Sequence, residues 1–465
     1  MPAWPSSRQG PAMQTSNRRQ LGAASSLVLV AIVAALIVVI IIVSPARQDE
    51  PPTDRIELGR PSAAVDDITR TAQQSLITYW TGELPTTYQR TFIELAGGFQ
   101  PKTPESEPFS CSGQRQTYQD LRGNAFYCPA DDFIAWDAAG LFPQLANQFG
   151  SIAPAIVLAH EVGHAIQARA AVQARSVVIE LQADCFAGSW IRFAETSQDD
   201  PVVITDGALD SAVATVLVLR DQPGTTAAAA QAHGLGFDRV NAFQTGYEQG
   251  AGRCASFPSE GVVTTELPFR TEAEAQSGGN LPFAQTVQVL SGNLDTFWAT
   301  AVRRIAAGRS FSSPTLRPVQ ADRLPECPGD QDPEDERLVE YCAATSTVDL
   351  LTTQLAALHA RIGDLATGAA LSDAWGQAAQ AQAGLPTTGQ RAGLQRDCFT
   401  GAWIASLAAG DLASSPLSPG DLDEALTAII ASTFTDDGRR MDRGGAFGRT
   451  KSLRTGVFEG LTACI

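Results

Sequence analysis

The chain has 465 residues, 18% of them charged, and a formal net charge of −17. That length is too great for one core and implies two or three domains. The negative balance repels nucleic acid and speaks against an electrostatic role on an anionic membrane surface, and the chain has neither a phosphate-cradling glycine loop nor a basic-aromatic patch.

Residues 1–24 carry Arg8, Arg18 and Arg19 and no acid, and read as a disordered cytoplasmic tail. From 25 to 43 the chain is apolar, with 17 consecutive Leu, Val, Ile and Ala residues after Ser26. As a helix this stretch reaches roughly 28 Å, the thickness of a bilayer's hydrocarbon, so a single transmembrane anchor is expected. Arginines before it and Asp49, Glu50 and Asp54 after it predict a cytoplasmic N-terminus and an extracytoplasmic remainder at the cell membrane. A cleaved signal peptide is the alternative, disfavoured by the length of the run and by the poor cleavage site Ser44-Pro45-Ala46. Residues 44–64, rich in proline, read as a tether. A helix is expected from Val65, because Val65, Ile68, Ala72, Leu76 and Trp80 keep a period of three to four. It opens a domain placed at 65–257.

Within that domain the stretch from Ile156 to Val172 is apolar, free of proline and read as a helix. His160 and His164, four apart, then leave the same face and can share one zinc ion per chain. Glu161 follows its histidine directly, at the edge of that face, where a carboxylate can take a proton from a zinc-activated water without being a ligand. A second helical run contains Glu180 and Asp184, again four apart. One carboxylate can complete the metal site while the other orients a ligand imidazole; Glu180 is taken as the ligand and Asp184 as the orienter. His233 is a candidate to stabilise an oxyanion, with a structural loop histidine as the equal alternative.

These residues stand in an ordered series. It runs from Phe126-Tyr127-Cys128-Pro129-Ala130-Asp131 through Asp137, His160-Glu161-Val162-Gly163-His164 and Glu180-Leu181-Gln182-Ala183-Asp184-Cys185. It continues to His233-Gly234, Gly246-Tyr247-Glu248-Gln249-Gly250 and Cys254. In this the sequence resembles the putative neutral zinc metallopeptidase family of bacteria. The resemblance implies a zincin-like fold, assigns His160, His164 and Glu180 to the metal and Glu161 to catalysis, and implies peptide or protein substrates. The chain departs from the family pattern at His164-Ala165, where a third adjacent histidine is common.

After a linker at 258–283, residues 284–465 repeat the domain. Leu76-Ile77-Thr78-Tyr79-Trp80 recurs as Leu294-Asp295-Thr296-Phe297-Trp298, and Asp184-Cys185-Phe186-Ala187-Gly188 as Asp397-Cys398-Phe399-Thr400-Gly401. Phe237, Arg239, Gly250 and Cys254 recur as Phe447, Arg449, Gly460 and Cys464. In this register Asp373, Ala374 and Gln377 face His160, Glu161 and His164, Gly393 faces Glu180, and Arg443 faces His233. A degenerate pseudopeptidase copy is therefore expected, and two such copies in one chain can pair about a pseudo-two-fold axis as a homodimer would. His359 has no partner motif and reads as structural.

The eight cysteines, four per copy, fit an oxidising compartment. Equivalent positions imply equivalent bridges, predicted as Cys111–Cys128, Cys185–Cys254, Cys327–Cys342 and Cys398–Cys464. The expected fold is mainly α, with minor strands. The expected function is a membrane-anchored zinc metallopeptidase. The competing expectation is a non-catalytic exported scaffold in which zinc is a relic and the second copy is the interaction surface.

Overall fold

A computed structural model describes residues 56–58, 65–225, 232–265, 267–328, 337–410, 417–433 and 443–465. The expected tail and anchor lie outside these residues, as does most of the tether; among the described residues no helix is long and apolar enough to cross a membrane.

In the first half, β1 (Ile56–Leu58) precedes α1 (Val65–Tyr88), then β2 (Gly98–Lys102), β3 (Phe109–Cys111), β4 (Gln114–Gln116), β5 (Ala125–Cys128) and β6 (Phe133–Asp137). Helices α2 (Leu141–Phe149), α3 (Ile152–Ala170) and α4 (Ser176–Thr196) follow, then β7 (Val202–Ile204), α5 (Asp206–Val218) and α6 (Gly236–Ala255). The tether is not wholly free of structure, since β1 pairs in parallel with β7 along its open edge. Strand β6 runs parallel to β2 and antiparallel to β5.

The second half has a similar order, without counterparts of β3, β4 and β7 among the described residues. After α7 (Phe283–Ile305) come β8 (Thr315–Val319), β9 (Val339–Cys342), β10 (Thr347–Leu351) and α8 (Thr352–Ile362). Then α9 (Asp364–Ala383), α10 (Gly389–Ala408), α11 (Asp421–Ala431) and α12 (Ala446–Glu459) complete it, with a closing 3-10 turn at Leu461–Cys464. Strand β10 is parallel to β8 and antiparallel to β9, the pattern of the first sheet. The expected linker contains a short helix, Glu272–Gln276, and is tied at Thr265, whose backbone N–H and hydroxyl both donate to buried Asp238.

The apolar period of α1 does what it predicts: Ile68, Ala72, Leu76 and Trp80 are buried. Trp80 meets Phe186 edge-on at 5.0 Å, and Trp298 meets Phe399 in the same way at 5.1 Å. Each buried indole removes on the order of 150–250 Å² from water, roughly 4–6 kcal/mol of apolar burial. Side chains from both halves join one continuous core.

Two glycines show why the backbone needs them. Gly163 lies where α3 crosses α4, and a Cβ there would stand 2.9 Å from the Cα of Ala183. Gly250 breaks α6 with φ +77°, and Gly460 ends α12 with φ +75°, a left-handed conformation that side chains resist. Each turn delivers the next cysteine to its bridge. The four disulfides join Cys111 to Cys128, Cys185 to Cys254, Cys327 to Cys342 and Cys398 to Cys464, the pairs expected from the sequence.

The halves pack through α5 and α6 of the first and α11 and α12 of the second. Phe237 meets Phe458 at 5.7 Å and Tyr247 meets Phe447 at 4.9 Å. Gln244 donates to the carbonyl of Phe447 and the hydroxyl of Thr450, both at 2.9 Å. Lys451 and Arg454 pair with Glu248 at 2.9 and 2.6 Å.

Candidate metal centre

Because α3 and α4 cross at Gly163 and Ala183, the residues one turn away on each helix face each other. His160 and His164 from α3 and Glu180 from α4 bring three donor atoms within 4.8 Å of one another. The two Nε2 atoms are 3.1 Å apart; Glu180 Oε2 is 3.2 Å from Nε2 of His160 and Oε1 is 3.6 Å from Nε2 of His164.

The tautomers follow from what each ring's other nitrogen touches. Gln167 Nε2 donates to the carbonyl of Ile179 at 2.6 Å, so its Oε1, 2.9 Å from Nδ1 of His164, is left to accept. His164 therefore donates from Nδ1 and turns the Nε2 lone pair toward the cluster. His160 does likewise: its Nδ1 donates to Asp184 Oδ1 at 2.8 Å. Two lone pairs and a carboxylate thus converge on one point, and Glu180 Oε2 is buried there without a hydrogen-bond partner. That orphaned oxygen is what a bound cation would satisfy. Donors about 2.0–2.1 Å from a tetrahedral zinc stand roughly 3.3–3.4 Å from each other, close to the 3.1 Å between the two Nε2 atoms and the 3.2 Å from Nε2 of His160 to Glu180 Oε2. The residues fit the ion.

Charges agree with the geometry. Burial works against a charge on His160, but Asp184 and then Glu180 outweigh it and push its pKa up to about 10. Glu180 is buried too, yet His160, His164 and Arg239 pull its pKa down to about 2. Asp184, against its burial, is held low chiefly by Arg239 and also by His160. The carboxylates of Glu180 and Asp184 thus gather negative charge around the cluster, a field that favours a bound dication.

Arg239, from the first turn of α6, was given no part in the site by the sequence reading. It is fully buried and grips Asp184 bidentately, Nε to Oδ2 at 2.7 Å and Nη2 to Oδ1 at 2.8 Å. It also donates to the carbonyl of Leu219. Its recurrence as Arg449, which grips Asp397 in the same way at 2.8 and 3.0 Å, is the signal that could have exposed it.

Glu161 is buried directly after His160, outside the donor triad, and its carboxylate takes no hydrogen bond from the described residues. His233 does not join the donors. It is exposed, its Nδ1 lies 3.2 Å from Asp221 Oδ1, and its backbone N–H donates to Asp221 Oδ2 at 2.7 Å. Asp221 raises its pKa against partial burial, and the Glu180 carboxylate adds to the rise. His359 lies on α8, its Nδ1 3.3 Å from the Thr367 hydroxyl and its ring against Phe283, a structural place.

Crossed helices, with an HExxH sequence on one and an acidic residue facing it from the other, form a group that could hold a metal ion. Residues 106–257 match the family described as Putative neutral zinc metallopeptidase. Similar chains include an uncharacterized protein of Mycobacterium tuberculosis, 31% identical over 152 residues, covering 27% of this chain and 52% of the relative. The uncharacterized protein YpfJ of Escherichia coli is 29% identical over 158 residues, 28% of this chain and 53% of the relative. The chain thus spans about half the length of these curated relatives. No solved structure matches it significantly.

Proposed function

We propose that the first half is a zinc peptidase domain acting on peptides or proteins. The observation that carries this reading is the convergence of both Nε2 lone pairs and the orphaned Glu180 oxygen, with Glu161 beside them and outside the ligand set. His160, His164 and Glu180 hold the ion. Zinc bound there supplies Lewis acidity to a scissile carbonyl and to a water nucleophile. Glu161 accepts the water's proton and returns it to the leaving amine, work suited to a buried carboxylate with no other partner. Asp184 and Gln167 fix the two imidazoles by their Nδ1 atoms. His233, whose pKa Asp221 raises, is assigned to the developing oxyanion.

Residues 284–465 are read as a degenerate second copy without this chemistry. Supporting that reading are the shared element order, the matching disulfides, and pairs such as Gln167 to Ile179 and Gln380 to Ala392, which keep one hydrogen bond in one register. The apolar run at 25–43 and the four bridges favour an anchored, extracytoplasmic protein.

Replacing Glu161 by Gln tests the function directly. Hydrolysis of a peptide library should fall by about 10²–10⁴-fold while zinc stays bound. Unchanged turnover removes Glu161 from its role.

A further inference from the structure

We infer that Asp423, a residue of the second half, is a positioning residue for the metal centre of the first; the inference rests on the metal-centre reading above. Helix α6 begins at Leu235, which has no side chain able to cap it, so its first N–H groups need an acceptor from elsewhere. The acceptor comes from α11. Asp423 takes the N–H of Gly236 at 3.0 Å on Oδ2 and that of Phe237 at 2.7 Å on Oδ1. The same carboxylate, buried, pairs with Arg220 Nε at 3.2 Å.

Arg239 lies within one turn of that capped end. It grips Asp184, and Asp184 holds Nδ1 of His160. Its Nη2 also lies 3.4 Å from His160 Nδ1, and a further contact, the carbonyl of Leu219, adjoins Arg220, so the path from Asp423 reaches Arg239 by two routes. A carboxylate that fixes the start of α6 and the end of the preceding segment thereby sets where the guanidinium stands, and through it the rotation of a ligand imidazole.

The molecule carries its own control. Helix α12 likewise lacks a local cap at Gly445, and Asp210 of the first half accepts the N–H of Phe447 at 2.9 Å. Arg449 on α12 grips Asp397. There the path stops, because the counterpart of His160 is Asp373, which is held by Arg396 and Arg443 and offers no imidazole. The two caps are equivalent across the interface, and only one of them leads to a ligand.

The experiment compares Asp423→Asn with Asp210→Asn in the full chain. Two quantities are read: the thermal midpoint of the zinc-free protein, and zinc affinity by competition with a chromophoric chelator. Both variants should lose midpoint by similar amounts, whereas D423N alone should lose about 10-fold in zinc affinity. Should D423N fail to fold, Arg220→Gln carries the same comparison, with a smaller loss of the same sign expected. Wild-type affinity in the folded Asp423 or Arg220 variant overturns the inference, and so does an equal loss in D210N, which would mean only a loosened interface. A wild-type chain that binds no zinc overturns the metal centre itself, and the inference with it.

Discussion

The crossing of α3 with α4 and that of α9 with α10 use the same parts for different ends. Gly163 lets α3 approach Ala183, and Gly376 lets α9 approach Arg396, the residue in the corresponding place. Gln167 and Gln380 tie their helices to the next by the same bond. In the first half the crossing encloses three metal donors. In the second, Asp373 takes guanidinium contacts from Arg396 at 2.8 Å and from Arg443, which hold its carboxyl well below the usual range despite burial. An internal cation pairs with the residue that replaces His160. The second crossing is thus held by an ion pair where the first gathers metal donors, which favours a chemical rather than a structural use for zinc in the first.

The sharpest way to break this contrast is at the residue after the first histidine. Glu161→Gln removes most of the activity, as stated above, while the converse Ala374→Glu should create none, because its neighbours cannot hold the ion. Activity gained by A374E in an E161Q background would mean that the second crossing keeps a cryptic centre.

Next in size is Asp373→Ala. Taking away the carboxylate leaves Arg396 and Arg443 buried and facing each other, a cost of about 3–5 kcal/mol. Denaturant titration should show that loss with zinc content unchanged. A stability equal to wild type would deny the arginine clamp its role.

The smallest effect concerns pH. Asp364, Asp421 and Glu424 cluster within 4.8 Å in the second half, where the first has Ser151, Ala208 and Ser211. Burial, and then the neighbouring Asp364 charge, push Asp421 up to about 8. The folded chain thus keeps a proton that the unfolded chain releases above about pH 4, so this group's contribution falls as pH rises from about 4 through about 8. Asp421→Asn should stabilise more at pH 8 than at pH 5, because between those values the native carboxyl keeps a proton that the unfolded one has released. Equal effects at both pH values would contradict the raised pKa.

Much of the donor set was legible in the sequence because helix geometry alone puts residues four apart on one face. His160 with His164, and Glu180 with Asp184, needed only the assumption of two helices. What brings the two helices together is tertiary, and so was invisible. Arg239 acts on Asp184 only because α6 folds back, and Gln167 fixes His164 only because Ile179 claims its amide. His233 stands alone in the sequence, and the loop that sets its Nδ1 beside Asp221 Oδ1 is likewise a tertiary feature that no local pattern displays. The sequence did hold one unread clue to the interface. Leu235 is a poor cap and Gly445 brings no side-chain acceptor, so the first N–H groups of these two helices call for an acceptor from another part of the chain.

The central claim is that one half holds a catalytic metal and the other only its frame. Zinc bound per chain, measured by mass spectrometry after gel filtration of the chain from residue 56 onward, tests it most directly. The account predicts one zinc per wild-type chain and none in the His160→Ala, His164→Ala double variant. Two per chain, or one retained in that variant, would contradict it.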